Sequence, residues 1–109
     1  MKEDLTFINN KIIIGKNANG NDILVKNADD NDYWFHLADF PSCHVVIKNS
    51  TEYPITNEMI MHCANLTKLN TKYQNVPNIK VHYTQIKNVT RTDIPGLVII
   101  KGKIASVII

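Results

Sequence analysis

Apolar residues alternate with polar ones over most of this chain and take up helical spacing in one long stretch. Residues 11–15 (Lys-Ile-Ile-Ile-Gly) and 23–26 (Ile-Leu-Val-Lys) are short aliphatic runs, with Asn19 and Gly20 between them. Asn-Gly readily adopts the positive φ angles of a tight turn, so the pattern predicts a hairpin. Residues 33–37 read as a strand and residues 39–42 (Asp-Phe-Pro-Ser) as a turn. Pro41 cannot donate to a ladder and holds Phe40 extended. A strand resumes over 44–48, so His36 and His44 bracket one connection and face each other across it. Ile79, Val81 and Tyr83 alternate with Lys80, His82 and Thr84, the mark of a half-buried strand. After a break at residues 93–96, the segments 97–100 and 104–109 read as a terminal hairpin around Gly102.

The helical stretch runs from about residue 57 to 73. Thr56 is placed to cap it, Glu58 complements the positive end of its dipole, and Ile55 and Ile60 stand at staple positions. Met59, Cys63, Leu66 and Tyr73, flanked by Ile60, Ala64 and Leu69, form its apolar stripe; His62, Asn65, Lys68 and Lys72 lie opposite. Several antiparallel strands with one main helix give an α+β fold in one domain over residues 1–109.

Composition narrows the function classes without choosing one. The chain is 44% hydrophobic and 20% charged, as folded proteins are. No apolar run approaches the roughly 20 residues of a membrane span, and the amino terminus lacks an apolar signal core. Together these read as a cytoplasmic protein with no membrane partner. Cys43 and Cys63 sit in apolar patterns without Cys-x-x-Cys spacing, as buried free thiols do. The net charge of +2 is only mildly basic, but its distribution is uneven. Lys80, Lys87, Arg91, Lys101 and Lys103 stand against the single acid Asp93 in the last 30 residues. Such a strip suits a phosphate backbone; the alternative is a solvated sheet face.

The densest chemistry lies in residues 32–44, which hold the only tryptophan, two of the four histidines and one of the two cysteines. Strand alternation sets Phe35 opposite to Trp34 and His36. Either one of these faces is open, where a ring can stack on an unpaired base for about 1–3 kcal/mol, or Trp34 and Phe35 fill the two sides of a small core. As metal ligands, His36 and His44 would need partners such as Asp39, Cys43 or His82, and the spacing is not that of a dense metal site. As a catalytic pair they would need Ser42 or Cys43 as nucleophile, and adjacency does not make a triad. One histidine is otherwise buried and the other solvent-facing, or both donate to phosphate and ribose oxygens. Gly15-Lys16 lacks the spacing of a phosphate loop.

These residues, in order, resemble the NFACT-R domain, with its D-x-W-F-H-x-x-x-x-P-G-S-H-V signature. Asp32, Trp34, Phe35 and His36 match its first half, and Pro41, His44 and Val45 its second. Gly15-Lys16-Asn17 with Asn21-Asp22, Tyr83-Thr84-Gln85 with Lys87 and Val89, and Pro95-Gly96 extend the resemblance over residues 11–109. The family is regarded as RNA-binding and occurs in proteins of ribosome-associated quality control, which recruit tRNA and tail stalled peptides; stand-alone versions exist. The resemblance implies Trp34, His36, His44, Tyr83 and Lys87 as RNA-binding positions, with Arg91 beside them. Two departures stand out. Ser42-Cys43 replaces the family's Gly-Ser in a turn that favours Gly, and the lysine-rich stretch after the Tyr-Thr segment is thinned to Thr90-Arg91-Thr92-Asp93.

The resulting expectation is a non-catalytic module for structured RNA, tRNA or ribosomal RNA, linked to translation and requiring no cofactor or metal. Lys87 and Arg91 would hold phosphates, while Trp34, His36 and His44 position or stack. The rival is a protein-interaction module that docks on a ribosome-associated partner or self-associates through a strand edge.

Overall fold

The computed structural model describes residues 1–109. Eight strands and two helices follow in the order β1 (Lys2–Asp4), β2 (Ile12–Ile14), α1 (Ala18–Asn27), β3 (Tyr33–Leu37), β4 (Val45–Ile47), α2 (Asn57–Leu69), β5 (Lys80–Gln85), a 3-10 turn (Ile86–Asn88), β6 (Val89–Arg91), β7 (Val98–Ile100) and β8 (Ala105–Ile108). Six strands form one sheet in the order β1-β2-β4-β3-β5-β8, antiparallel throughout, and β6 pairs with β7 as a separate ribbon. The α+β class expected from the pattern is the class observed.

Alternation along β3 divides the molecule into layers. Phe35 and Leu37 point to the face covered by α2 and meet Ile12, Val45, Ile47, Cys63, Ala64 and Val81 in the larger core. Trp34 points the other way and packs with Leu24 and Val25 of α1, Val46 and Ile86. Phe35 and Trp34 are 0% and 3% exposed. The reading in which the two rings fill opposite sides of the core therefore holds, and Trp34 is no open stacking platform. Full burial of such a ring is worth about 2–3 kcal/mol in water transfer alone.

Three local expectations change. The predicted hairpin around Asn19-Gly20 is instead α1. Asn17 caps it, its side-chain oxygen accepting from the Gly20 amide at 2.8 Å, and Asn21, Leu24 and Val25 form the buried face. A three-residue aliphatic run does not distinguish a strand from a buried helical turn, and here the cap decides. The predicted terminal hairpin is also absent: β7 pairs with β6 and β8 with β5. The chain changes sheets near Gly102, where the Lys101 amide donates to the Asn88 carbonyl at 2.8 Å. Finally, α2 begins at its predicted cap, with Thr56 Oγ1 accepting from the Met59 amide at 3.2 Å. It ends at Leu69 rather than 73, because Asn70 turns back to the Leu66 carbonyl through its side chain as well as its amide. Tyr73 follows in the next turn and stacks on Phe40 at 4.3 Å.

Candidate functional site

The β3–β4 ladder pairs Trp34 with Val46 and Phe35 with Val45, which brings His36 beside His44 at the mouth of the connection. The β3–β5 ladder sets His82 opposite His36. Trp34 and His36 stack with centroids 5.6 Å apart and planes 5° from parallel. His44 meets both edge-on, 5.3 Å from Trp34 and 5.2 Å from His36. The sequence expectation that the two histidines face each other is realised as this three-ring cluster.

Its electrostatics are those of a neutral site. Burial, then the neighbouring His36 ring, depresses the His44 pKa to about 4, with the Gly96 backbone opposing. Burial also lowers that of His36, aided by His82. Both imidazoles are therefore uncharged at neutral pH, each with one donor and one acceptor nitrogen. His36 Nδ1 donates to the Leu37 carbonyl, which leaves its Nε2 as the acceptor. Two buried ring nitrogens, Trp34 Nε1 and His44 Nδ1, have no hydrogen-bond partner. Unpaired buried polar atoms are uncommon and costly.

His36 and His44 of the cluster line a cleft of about 770 Å³, with Trp34 packed behind them. One wall is the amino-terminal end of α1 with Lys16, Asn17 and Ala18, and the other carries Lys72 and Tyr73. Lys16 and Lys72 are exposed and in no ion pair. No acidic residue lines the cleft or occupies the first turn of α1. Two lysines and the positive end of a helix dipole thus face the same space without a counter-charge.

The upstream motif residues build this wall. Gly15 donates its amide to the His44 carbonyl at 2.9 Å. Asn21, 7% exposed, accepts from the His44 amide at 3.1 Å. A Cβ on Gly15 would lie 2.0 Å from Asn21 Oδ1, so only glycine admits both contacts. Gly96, at φ 84°, closes the opposite side against Ala18. Asp32, at the head of the signature, is 1% exposed. Its carboxylate accepts from Lys48 Nζ at 2.8 Å and from the amides of Asp29 and Asn49, which fixes the entry to β3.

The remaining expected positions lie apart. Tyr83 stacks on Phe35 at 5.5 Å, on the α2 side of the sheet. Lys87 and Arg91 border a second groove of about 480 Å³ at the far end of α1, together with Lys26 and Asp30. The Arg91 guanidinium is held in a bidentate pair by Asp22, at 2.9 and 2.8 Å, which pins α1 to β6. That pair lowers the Asp22 pKa and raises that of Arg91. Lys80, Lys101 and Lys103 are exposed but line neither the cleft nor the groove, so the anticipated cationic strip is dispersed. Sequence reasoning missed Lys16 and Lys72 as site residues. The signal for Lys16 lay in the Gly15-Lys16-Asn17 motif; for Lys72, which follows α2 in sequence, there was none.

The Ser42-Cys43 departure is accommodated. Ser42 needs no positive φ, and its hydroxyl accepts from the Leu37 amide and donates to the Cys43 carbonyl. Cys43 packs toward α2, and burial pushes its thiol up to about 11. Burial likewise raises Cys63. Both are thiols, not activated nucleophiles, at neutral pH.

The model of the NFACT protein RNA binding domain matches residues 5–107. Rqc2 homolog RqcH of Bacillus subtilis is 32% identical over 81 residues, which is 73% of this chain and 14% of that protein. Coiled-coil domain-containing protein 25 of Bos taurus is 33% identical over 85 residues, 74% of this chain and 41% of that one. The chain thus spans less than half the length of the curated relatives it matches. Among solved structures, the C-terminal part of the fibronectin/fibrinogen-binding protein from Streptococcus suis superimposes with a TM-score of 0.82 at 26% identity, covering 92% of this chain and 40% of that one.

Proposed function

This chain belongs to the NFACT protein RNA-binding domain family, and from that premise we propose that it is a non-catalytic module for structured RNA, tRNA or ribosomal RNA, in translation-linked quality control. The observation that carries the reading is the acid-free cleft that Lys16, Lys72 and the amino terminus of α1 share with His36 and His44. Each ingredient suits a phosphodiester: lysines as point charges, helix amides as directed donors, and neutral imidazoles for ribose or phosphate oxygens. Lys87 and Lys26 at the second groove add a further contact along the same helix. Arg91, already engaged by Asp22, serves chiefly to hold α1 in place.

Titrating the protein with tRNA at rising salt tests this. Binding should weaken steeply with salt. Lys16→Ala and Lys72→Ala should each lower affinity and reduce the log–log salt slope by about one. Binding that ignores salt, or ignores both substitutions, refutes the phosphate role of the cleft.

A protein-docking reading draws on Ile94, Leu97 and Ile99, which are 60%, 53% and 55% exposed on and beside the β6–β7 ribbon. An Ile99→Asp variant that loses a protein partner while keeping tRNA affinity would favour it.

A further inference from the structure

The cleft has a second compartment that phosphate binding does not use. A smaller chamber of about 200 Å³ adjoins it, with His36, His44, Gly96 and Leu97 bordering both spaces. Its other walls are Trp34, His82, Val98, Ile100 and Ile104. This volume is roughly the share of seven liquid waters, room for a single planar ring system and too small for a stretch of polymer. Aliphatic side chains supply faces against which a ring can lie. A polar edge is supplied by the imidazole of His36, whose Nε2 is the acceptor; the two unpartnered nitrogens, Trp34 Nε1 and His44 Nδ1, are sealed within the wall behind it. The side chains that carry those two nitrogens are 3% and 1% exposed.

We propose that the cleft takes one unstacked nucleotide of the bound RNA, its base seated in the smaller chamber and its phosphate between Lys16, Lys72 and the α1 amino terminus. This rests on the RNA-binding reading and deepens it: the module reads an extruded base at a loop, bulge or end, not the duplex surface alone. Apolar walls with a fixed polar edge are what a heterocycle needs. Single-stranded or looped positions are where RNA offers one. The phosphate site lies outside the chamber in the same cleft, so a nucleotide occupies both compartments where a phosphate ion fills only the outer one.

Trp34 is the only tryptophan, so its emission reports on the chamber directly. The protein is titrated separately with AMP, CMP, GMP, UMP and ribose 5-phosphate, and tRNA binding is followed in parallel by anisotropy of labelled tRNA. At least one nucleotide should change Trp34 emission saturably with a Kd of about 1 mM or lower, while ribose 5-phosphate leaves it unchanged. Ile104→Phe narrows the chamber from a position that is exposed and outside the strands. It should weaken that nucleotide about tenfold with an unaltered melting temperature, and Lys16→Ala should weaken it independently. Equal responses to ribose 5-phosphate and nucleotides would reduce the site to a phosphate site and overturn the proposal. Intact tRNA binding with no nucleotide response would overturn the chamber while sparing the RNA-binding module. Loss of both would remove the two readings together.

Discussion

The contact between Gly15 and Asn21 gives the sharpest quantitative test of how the site is built. A Cβ on Gly15 would stand 2.0 Å from Asn21 Oδ1 and 3.1 Å from Asn21 Cα. Gly15 is not among the positive-φ residues, so its backbone accepts alanine and the whole penalty is steric. The Asn21 side chain must leave, and the His44 amide at 3.1 Å then loses its acceptor in a buried setting. An orphaned buried amide costs about 1–3 kcal/mol, overpacking adds about 1–3 kcal/mol, and the reduced freedom of the unfolded chain returns about 0.4–1 kcal/mol. Gly15→Ala should therefore destabilise by about 1–6 kcal/mol, measured as a urea midpoint with unchanged m. Asn21→Ala removes the acceptor without a clash and should cost about 1–3 kcal/mol. The decisive variant is the double one. With Asn21 already truncated, the 2.0 Å clash is gone and only the tight 3.1 Å approach to the Cα of residue 21 remains, so Gly15→Ala should cost far less in that background than in the native chain. A double variant whose loss equals the sum of the two single losses would show that Gly15 acts independently of Asn21 and refute the argument.

Three further outcomes follow from the same geometry. The His44 ring stays neutral in the folded state down to about pH 4, whereas in the unfolded chain it takes up a proton below about 6.5. The His44 contribution should accordingly be complete above 6.5 and be lost by on the order of 3 kcal/mol between pH 6.5 and 4, with His36 adding to the fall and the Asp22–Arg91 pair lost at lower pH. Denaturation across that range should show the fall reduced in His44→Gln. Asp32→Ala strands two backbone amides and removes the nearer of the two carboxylates beside the partly exposed Lys48, and should cost about 2–3 kcal/mol by thermal melting, about 4 °C per kcal/mol; a loss within the noise would remove Asp32 as the clamp of β3. Lys87→Ala should lower the tRNA salt slope by about one. Arg91→Ala, whose fork is occupied by Asp22, should lower the melting temperature and shift the slope less than Lys87→Ala does.

What could be read in the chain depended on whether a local rule or a distant partner decides. The β3 alternation, the Thr56 cap, the half-buried strand at 80–85 and the meeting of His36 with His44 follow from spacing alone, and the structure has them. The segment 18–27 does not. Its Asn-Gly supports a turn and its Ile-Leu-Val a strand, yet the Asn17 cap and the burial of Leu24 and Val25 against Trp34 make a helix. Tertiary burial there outweighs a local preference worth less than about 1 kcal/mol per residue. The pairing of β7 was likewise undecidable, because residues 98–100 suit β6 or β8 equally by pattern, and only the need to cover Val25 and Ile86 selects the ribbon.

The same distinction explains why the sequence signature marked the site without revealing its chemistry. Trp34 drew attention as a ring to be stacked upon, but its burial makes it a wall: it fixes His36 by stacking and His44 by an edge contact. Asp32, Gly15 and Asn21 do not border the smaller chamber; they hold the strand entry and the His44 backbone from behind. The residues left to contact a phosphate are ordinary lysines, Lys16 and Lys72, and they gain meaning only because α1 presents its amino terminus to the same acid-free cleft. A motif of rare residues can thus specify a rigid neutral floor, while the phosphate is left to common residues at its rim. Substitutions should separate accordingly: changes behind the cleft lower stability together with binding, and changes at Lys16 or Lys72 lower binding at constant stability.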